Sequence, residues 1–319
     1  MSLKLKLAKA VWKQRWLPLR FKKSAYRELS RHGERPDAPF ERAFYGLTYR
    51  GNLRNNVDFS VFFYGAFEKP VLHFMADAFD LIRRRNPARR TFCDIGANVG
   101  QHSLFMATQG ARVQAFEPYP AVAACLARHV ELNQLGDVTL HQVGLAENDE
   151  LLPFQPPLDA NQGAGSFQLD DAMTAHNCES LPVVRADDYF RSEEINNIAL
   201  IKIDVEGFER SALSGMQAIL ATERPVLVME LSHDTEQAFG SEHELLDMLP
   251  DNYTLLSFDV RRPDGSKKKR EESRAKRSGR YQLQQPVQWL GREQQDIVAC
   301  PGELLRDLPR QNRHKIKRA

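Results

Sequence analysis

Two groups of residues in this 319-residue chain have the types and spacing for chemistry. The first is Asp94-Ile95-Gly96-Ala97-Asn98-Val99-Gly100, followed by Glu117-Pro118. Glycine and asparagine accept the left-handed backbone that a tight turn needs. A glycine turn followed about twenty residues later by a strand-end acid is the layout in which a carboxylate grips ribose hydroxyls. A dinucleotide fingerprint would require glycine at positions 98 and 101, where this chain has Asn98 and Gln101. Asp94, two residues before the first glycine, would also repel a pyrophosphate. A cofactor without phosphate that carries a sulfonium and an ammonium is attracted instead. The pattern therefore points to S-adenosylmethionine, framed by Asp94, Gly96, Asn98 and Gly100, with Glu117 and Pro118 at the ribose.

The second group is Asp204-Val205-Glu206-Gly207-Phe208-Glu209, joined by Glu230 and by His233. Methyl transfer from a sulfonium is an in-line displacement, so the protein must hold a nucleophile at attack distance in a water-poor site. A hydroxyl nucleophile must also lose its proton, to a positioned base or with the help of a metal. Asp204, Glu206, Glu230 and His233 are expected at adjacent strand ends. Asp204 or Glu206 would orient the acceptor or the methionyl ammonium, and His233 is the candidate general base. A divalent metal on Asp204, Glu206 and Glu230 has no diagnostic spacing, so no metal is assigned.

These residues need a scaffold, and the apolar pattern supplies one. Phe92 to Ile95 reads as a buried strand, Gln101 to Thr108 as a helix and Arg112 to Phe116 as a second strand. A helix is expected from Pro120 to Leu135 with Gly136 as its cap, with His129 inward as a structural histidine. Val138 to Leu145 reads as one strand, with Gly144 at the adenine edge. Ile198 to Ile203 is an almost unbroken apolar run, as in the centre of a parallel sheet. Pro225 to Met229 adds a fifth strand, and Tyr253 to Val260 and Asp296 to Cys300 close the sheet. Residues 147–182 read as a long irregular loop, and a loop of that length inside a domain is more often functional than idle. Before this unit, a helix with an apolar stripe (Val71, Phe74, Met75, Ala78, Ile82) starts near Pro70. Leu47 to Asn52 suggests a hairpin turning at Arg50-Gly51-Asn52.

Hydrophobic residues make up 42% of the chain and charged residues 27%, which fits a globular protein. No run approaches the roughly 20 apolar residues of a membrane span. Lys4, Lys6, Lys9 and Lys13 interrupt any signal-peptide core. The four cysteines, Cys93, Cys125, Cys178 and Cys300, lack metal spacing and read as reduced, giving a cytoplasmic expectation. The net charge of +2 conceals a sorting: residues 1–35, 261–280 and 303–319 together carry +20, leaving −18 on the rest. A nucleic-acid enzyme would be basic on the body that does the chemistry, so nucleic acid is not the expected partner. Leu3, Leu7, Ala8, Val11, Trp12 and Trp16 at helical spacing among lysines fit either a helix on an anionic membrane, on its inner face, or one packed on its own domain.

Four blocks then carry a resemblance: FCDIGANVGQHS, VQAFEPYP, LIKIDVEGFERSALSGM and RPVLVMEL, in that order. Together with YGAFEKP, NQGAGS and VVRADDYF they resemble the FkbM-type methyltransferase family over roughly residues 55–301. The resemblance implies a class I methyltransferase Rossmann-like α/β fold, with a mostly parallel seven-stranded sheet and helices on both faces. It also implies S-adenosylmethionine as methyl donor and O-methylation of a small-molecule or glycan hydroxyl. The implied organisation is a basic N-terminal extension at 1–54, the methyltransferase domain at 55–302 with a basic insertion near 261–280, and a basic tail at 303–319. Two other readings stand beside it: an RNA methyltransferase using the basic extensions, and a binding protein on the same fold without turnover. The acceptor and the oligomeric state are left open.

Overall fold

The computed structural model describes residues 3–14, 16–31, 35–156, 165–167, 179–233, 235, 237–258, 268–290 and 294–312. Its centre is an eight-stranded sheet in the order Leu283–Gln284, Tyr253–Phe258, Gln294–Pro301, Val226–Ser232, Ile198–Ile203, Thr91–Ile95, Arg112–Phe116 and Val138–His141. The last five of these strands run parallel. The first three add antiparallel at one edge. The sheet thus has one strand more than the expected seven, because the two-residue strand Leu283–Gln284 extends the antiparallel edge.

The parallel centre is covered on both faces, which explains its near-continuous apolar sequence. All six residues of Ile198–Ile203 are buried, Lys202 among them. On one face Phe92, Leu200 and Val228 meet Phe74, Met75 and Ala78 of the Lys69–Arg85 helix. On the other, Ile95, Ile203 and Met229 meet Ala212, Leu213 and Leu220 of the helices Glu209–Gly215 and Gln217–Glu223. Pro70 does lie in the first turn of the long helix.

Several expected boundaries move. The hairpin pairs Pro39–Phe44 with Leu47–Asn52 and turns at Tyr45-Gly46, both with positive φ. Gly51 lies within the strand, where a Cβ would come 2.7 Å from Asp58 Cγ; the glycine permits a close approach and does not make the turn. The helix beginning at Pro120 ends at Leu132, with Asn133 and not Gly136 as its cap. Asn133 ties that end to the hairpin, accepting the Thr48 N–H at 2.7 Å and donating to the Thr48 carbonyl at 2.9 Å. His129 is buried against the same hairpin, its Nε2 2.8 Å from the Arg50 carbonyl. The expected strand from Val138 to Leu145 splits: Val138–His141 stays in the main sheet, and Gly144–Ala146 leaves it to pair with Glu179–Arg185. Glu150–Phe154 completes that small sheet, so residues 147–182 are not one irregular loop. Asn161 to Ala164 of the NQGAGS block, and Cys178, lie outside the described residues.

The N-terminal helices Leu3–Lys13 and Leu19–Leu29 bury Ala8, Trp12 and Tyr26 against Phe59, Phe62 and Phe63. Leu3, Leu7 and Trp16 point to solvent at 73%, 61% and 78% exposure. The apolar stripe therefore divides: part of it packs on the domain and part does not. Of the basic insertion, residues 268–280 are described, and Lys269–Ser278 forms a helix that leads into Tyr281. Tyr281 donates its hydroxyl to Asp77 of the long helix at 2.6 Å. Residues 261–267 and 313–319 lie outside the described residues.

Candidate active site

The carboxyl ends of the parallel strands carry the acids. The register sets Asp94 beside Lys202 and Glu230 opposite Asp296. The turn after Thr91–Ile95 uses the conformations its composition allows: Gly96, Asn98 and Gly100 all have positive φ, at 80°, 52° and 87°. Gly96 is also confined by a neighbour, since a Cβ there would lie 1.8 Å from the Asp204 carbonyl oxygen.

Above this turn is a cavity of about 310 Å³, lined by Gly96, Asn98, Glu117, Pro118, Gly144 and Asp204 among others. Glu117 is 8% exposed. Its Oε2 accepts the Asn98 N–H at 2.9 Å and its Oε1 accepts the Tyr119 N–H at 3.0 Å. Each oxygen keeps a lone pair for a further donor. Burial pushes the Glu117 carboxyl up to about 7 despite these two N–H groups. An apolar flank of Val143, Leu145 and Phe154 completes the cavity. A buried acceptor pair beside an apolar slot is a combination that could hold a ribose and an adenine.

Two of the expected cofactor residues are not on this wall. Asp94 is fully buried beneath the turn, where its Oδ2 accepts the Ser103 hydroxyl at 2.6 Å. Gly100 caps the Gln101–Thr108 helix and faces Leu126. Both shape the turn from below, because the strand's side chains alternate and Asp94 points into the layer of the following helix.

A second cavity of about 910 Å³ adjoins the first. The two share Phe59, Ser60, Phe67, Glu206, Glu230 and Gln294. Its floor adds Glu68, His233 and Asp296, and its roof includes Glu272, Lys276 and Arg280 from the insertion helix and the turn after it. Glu206 adopts a positive φ of 50° and accepts Gln294 Nε2 at 2.9 Å. Burial, then the neighbouring Asp204, raises the Glu206 carboxyl to about 7. Glu230 is raised for the same two reasons. His233 stands edge-on to Trp289 at 5.2 Å, and among the described residues neither ring nitrogen has a hydrogen-bond partner.

Lys202 balances part of this charge, its Nζ lying 2.6 Å from Asp204 Oδ2. Burial alone would depress its ammonium, but Asp204, Glu68 and Asp94 together hold it charged. Of the residues singled out from sequence, Glu206 and Glu230 lie where the cavities meet, Asp204 lines the smaller cavity and His233 only the larger one. Glu68, Lys202 and Asp296 were missed. Each had a signal: Glu68 directly precedes a helix start, and Lys202 and Asp296 are the charged residues within apolar strands.

A family model described as the methyltransferase FkbM domain matches residues 94–255, half of the chain. The hexuronic acid methyltransferase AglP of Haloferax volcanii is 29% identical over 135 residues, covering 42% of this chain and 53% of that protein. Methyltransferase 1 of Beauveria bassiana is 28% identical over 141 residues, covering 39% of this chain and 57% of that protein. The chain thus spans a little over half the length of these two relatives. A solved FkbM methyltransferase from Methylobacillus flagellatus aligns at 19% identity with a TM-score of 0.39, covering 66% of this chain and 44% of that one. Among the described residues no helix is long and apolar enough to cross a membrane.

Proposed function

The chain belongs to the FkbM methyltransferase domain family, and on that premise we propose that it transfers a methyl group from S-adenosylmethionine to a hydroxyl of a glycan or other small molecule. The observation that carries this reading is the junction of the two cavities at Glu206, Glu230 and Gln294. A donor in the smaller cavity and an acceptor in the larger one would meet there. The bound cofactor supplies an electrophilic methyl group on a sulfonium.

The protein's own residues do the remaining work. Glu117 holds the ribose, and Asp204 with its paired Lys202 presents a fixed charge to the methionyl end. Glu206, Glu230 and Gln294 offer acceptors and a donor to a polyhydroxylated molecule. His233, whose two ring nitrogens lack hydrogen-bond partners among the described residues and which lines the larger cavity, takes the acceptor hydroxyl's proton. Closely set fixed groups of this kind lower the barrier mainly by orientation. The acids of the cavity floor would repel the phosphates of RNA, which weighs against the nucleic-acid reading.

A finer partner is proposed for the N-terminal helices. Residues 1–27 carry nine Lys or Arg and no acid, and Leu3, Leu7, Trp16 and Phe21 are exposed on the same segment. Apolar side chains set among cations suit the surface of an anionic membrane, which residues 1–35 would contact peripherally.

Isothermal titration with S-adenosylhomocysteine tests the central reading, followed by transfer of labelled methyl to hydroxylated glycans. Micromolar binding with labelled product is expected. A folded sample that binds no S-adenosylhomocysteine, alone or with a glycan present, would leave the binding-protein reading in its place.

A further inference from the structure

Glu68, Asp204 and Glu230 each offer one carboxylate oxygen, and the three oxygens lie within 4.8 Å of one another. They come from three separate elements: the residue capping the Lys69–Arg85 helix, the loop after Ile198–Ile203, and the strand Val226–Ser232. Three acids brought together from such distant points need an opposite charge. Lys202 provides one, at Asp204 Oδ2, leaving Asp204 Oδ1 for another partner. The three carboxylates and one ammonium sum to a formal charge of −2.

A second observation points into the same space. His102 is a buried imidazole, its side chain 9% exposed, with Nε2 3.4 Å from Glu68 Oε2. Among the described residues neither of these two buried atoms has a hydrogen-bond partner. An imidazole nitrogen and a carboxylate oxygen facing each other without a completed hydrogen bond are positioned for a shared cation.

We propose that Glu68, Asp204 and Glu230 bind one divalent cation, with His102 beside Glu68 as a further ligand or support. Three carboxylate oxygens favour a hard ion such as magnesium, manganese or calcium over zinc or copper. Metal–oxygen distances of about 2.1 to 2.4 Å place opposite ligands roughly 4.2 to 4.8 Å apart, so the observed spread closes on an ion with little side-chain movement. Glu230 borders both cavities and Glu68 the larger one, so the ion's open positions would face an acceptor oxygen. That last role rests on the methyl-transfer reading; the binding of the ion does not.

The test uses the full chain, stripped with a chelator and titrated with manganese alone, with free manganese read by electron paramagnetic resonance. One ion per chain is expected with a Kd of roughly 10⁻⁴ M or tighter, displaced by magnesium. Glu68→Gln and Glu230→Gln should each weaken it by at least ~10-fold, while Glu244→Gln, an exposed acid paired to Arg210, should leave it unchanged. Thermal melting and S-adenosylhomocysteine affinity of each variant, measured in parallel, separate loss of the ion site from loss of fold or of the cofactor site. If either Gln variant fails to fold, the other decides the assignment. No saturable manganese binding up to millimolar concentration overturns the proposal, as does saturable binding that survives both substitutions.

Discussion

Lys202 and Asp204 form an ion pair of 2.6 Å in which the lysine side chain is 3% exposed and the aspartate 20%. They are two residues apart, one the last but one residue of the central strand and the other just beyond its end. The pair marks the boundary between the dry interior of the sheet and the cavities above it.

Removing the ammonium while keeping the stem tests what holds the acids together. Lys202→Met leaves Asp204 facing Glu68 and Glu230 without its cation, and breaking a buried pair on one side costs about 3–5 kcal/mol. Urea denaturation at pH 7 should register a loss of that order. A change under ~1 kcal/mol would mean that protons, and not Lys202, neutralise the cluster.

Glu117 is the proposed cofactor residue with the most specific geometry. Glu117→Ala removes the partner of two backbone N–H groups and the proposed partner of the ribose. S-adenosylhomocysteine affinity should fall by ~1–3 kcal/mol. Glu117→Gln keeps one acceptor and should fall between wild type and Ala. Equal affinity in all three proteins would remove Glu117 from the cofactor site.

His73 gives the fold a predictable acid limb. It is 7% exposed, and burial lowers its imidazole to about 4, outweighing the Gly279 backbone contact that acts the other way. A histidine whose folded value is depressed contributes stability that is present above its unfolded value of about 6.5 and is lost as pH falls toward 4. The loss attributable to His73 should reach up to about 3 kcal/mol. His73→Gln should therefore show a shallower decline in urea midpoint between pH 7 and pH 4.5 than wild type; parallel curves would contradict this.

The exposed N-terminal side chains predict a composition-dependent membrane contact. Wild type should sediment with vesicles containing phosphatidylglycerol and not with neutral phosphatidylcholine vesicles, and the binding should weaken with salt. Leu3→Glu with Leu7→Glu, both solvent-facing, should abolish sedimentation without altering S-adenosylhomocysteine affinity. Sedimentation retained by the double variant would assign the basic helices another role.

Much of the scaffold was legible because burial leaves a local record. Ile198–Ile203 is apolar along its length because both its faces are covered, and Pro70 marks a helix start because it lacks an N–H. The hairpin turn was misplaced for a reason of the same kind. Glycine at position 51 reads as a turn residue, yet it is used for the close approach of Asp58, which no local pattern records. Residues 147–182 looked irregular because Pro153, Pro156 and Pro157 interrupt the strand signal, while Pro153 is accommodated in a paired strand of a small sheet.

The sequence by itself determined the glycine turn at 96–100, the terminal acid Glu117 and the strand that ends at Asp204, since these depend on backbone conformation and on residues close in the chain. Only the tertiary structure decided which acids share a space. Glu68 joins Asp204 and Glu230, Asp296 stands opposite Glu230, and Asp94 drops below the cavity to meet Ser103. Residues 68, 204, 230 and 296 are far apart in sequence and are brought together by strand order and register. Electrostatic coupling falls with distance in space, so a charge cluster of this kind leaves no periodic trace along the chain.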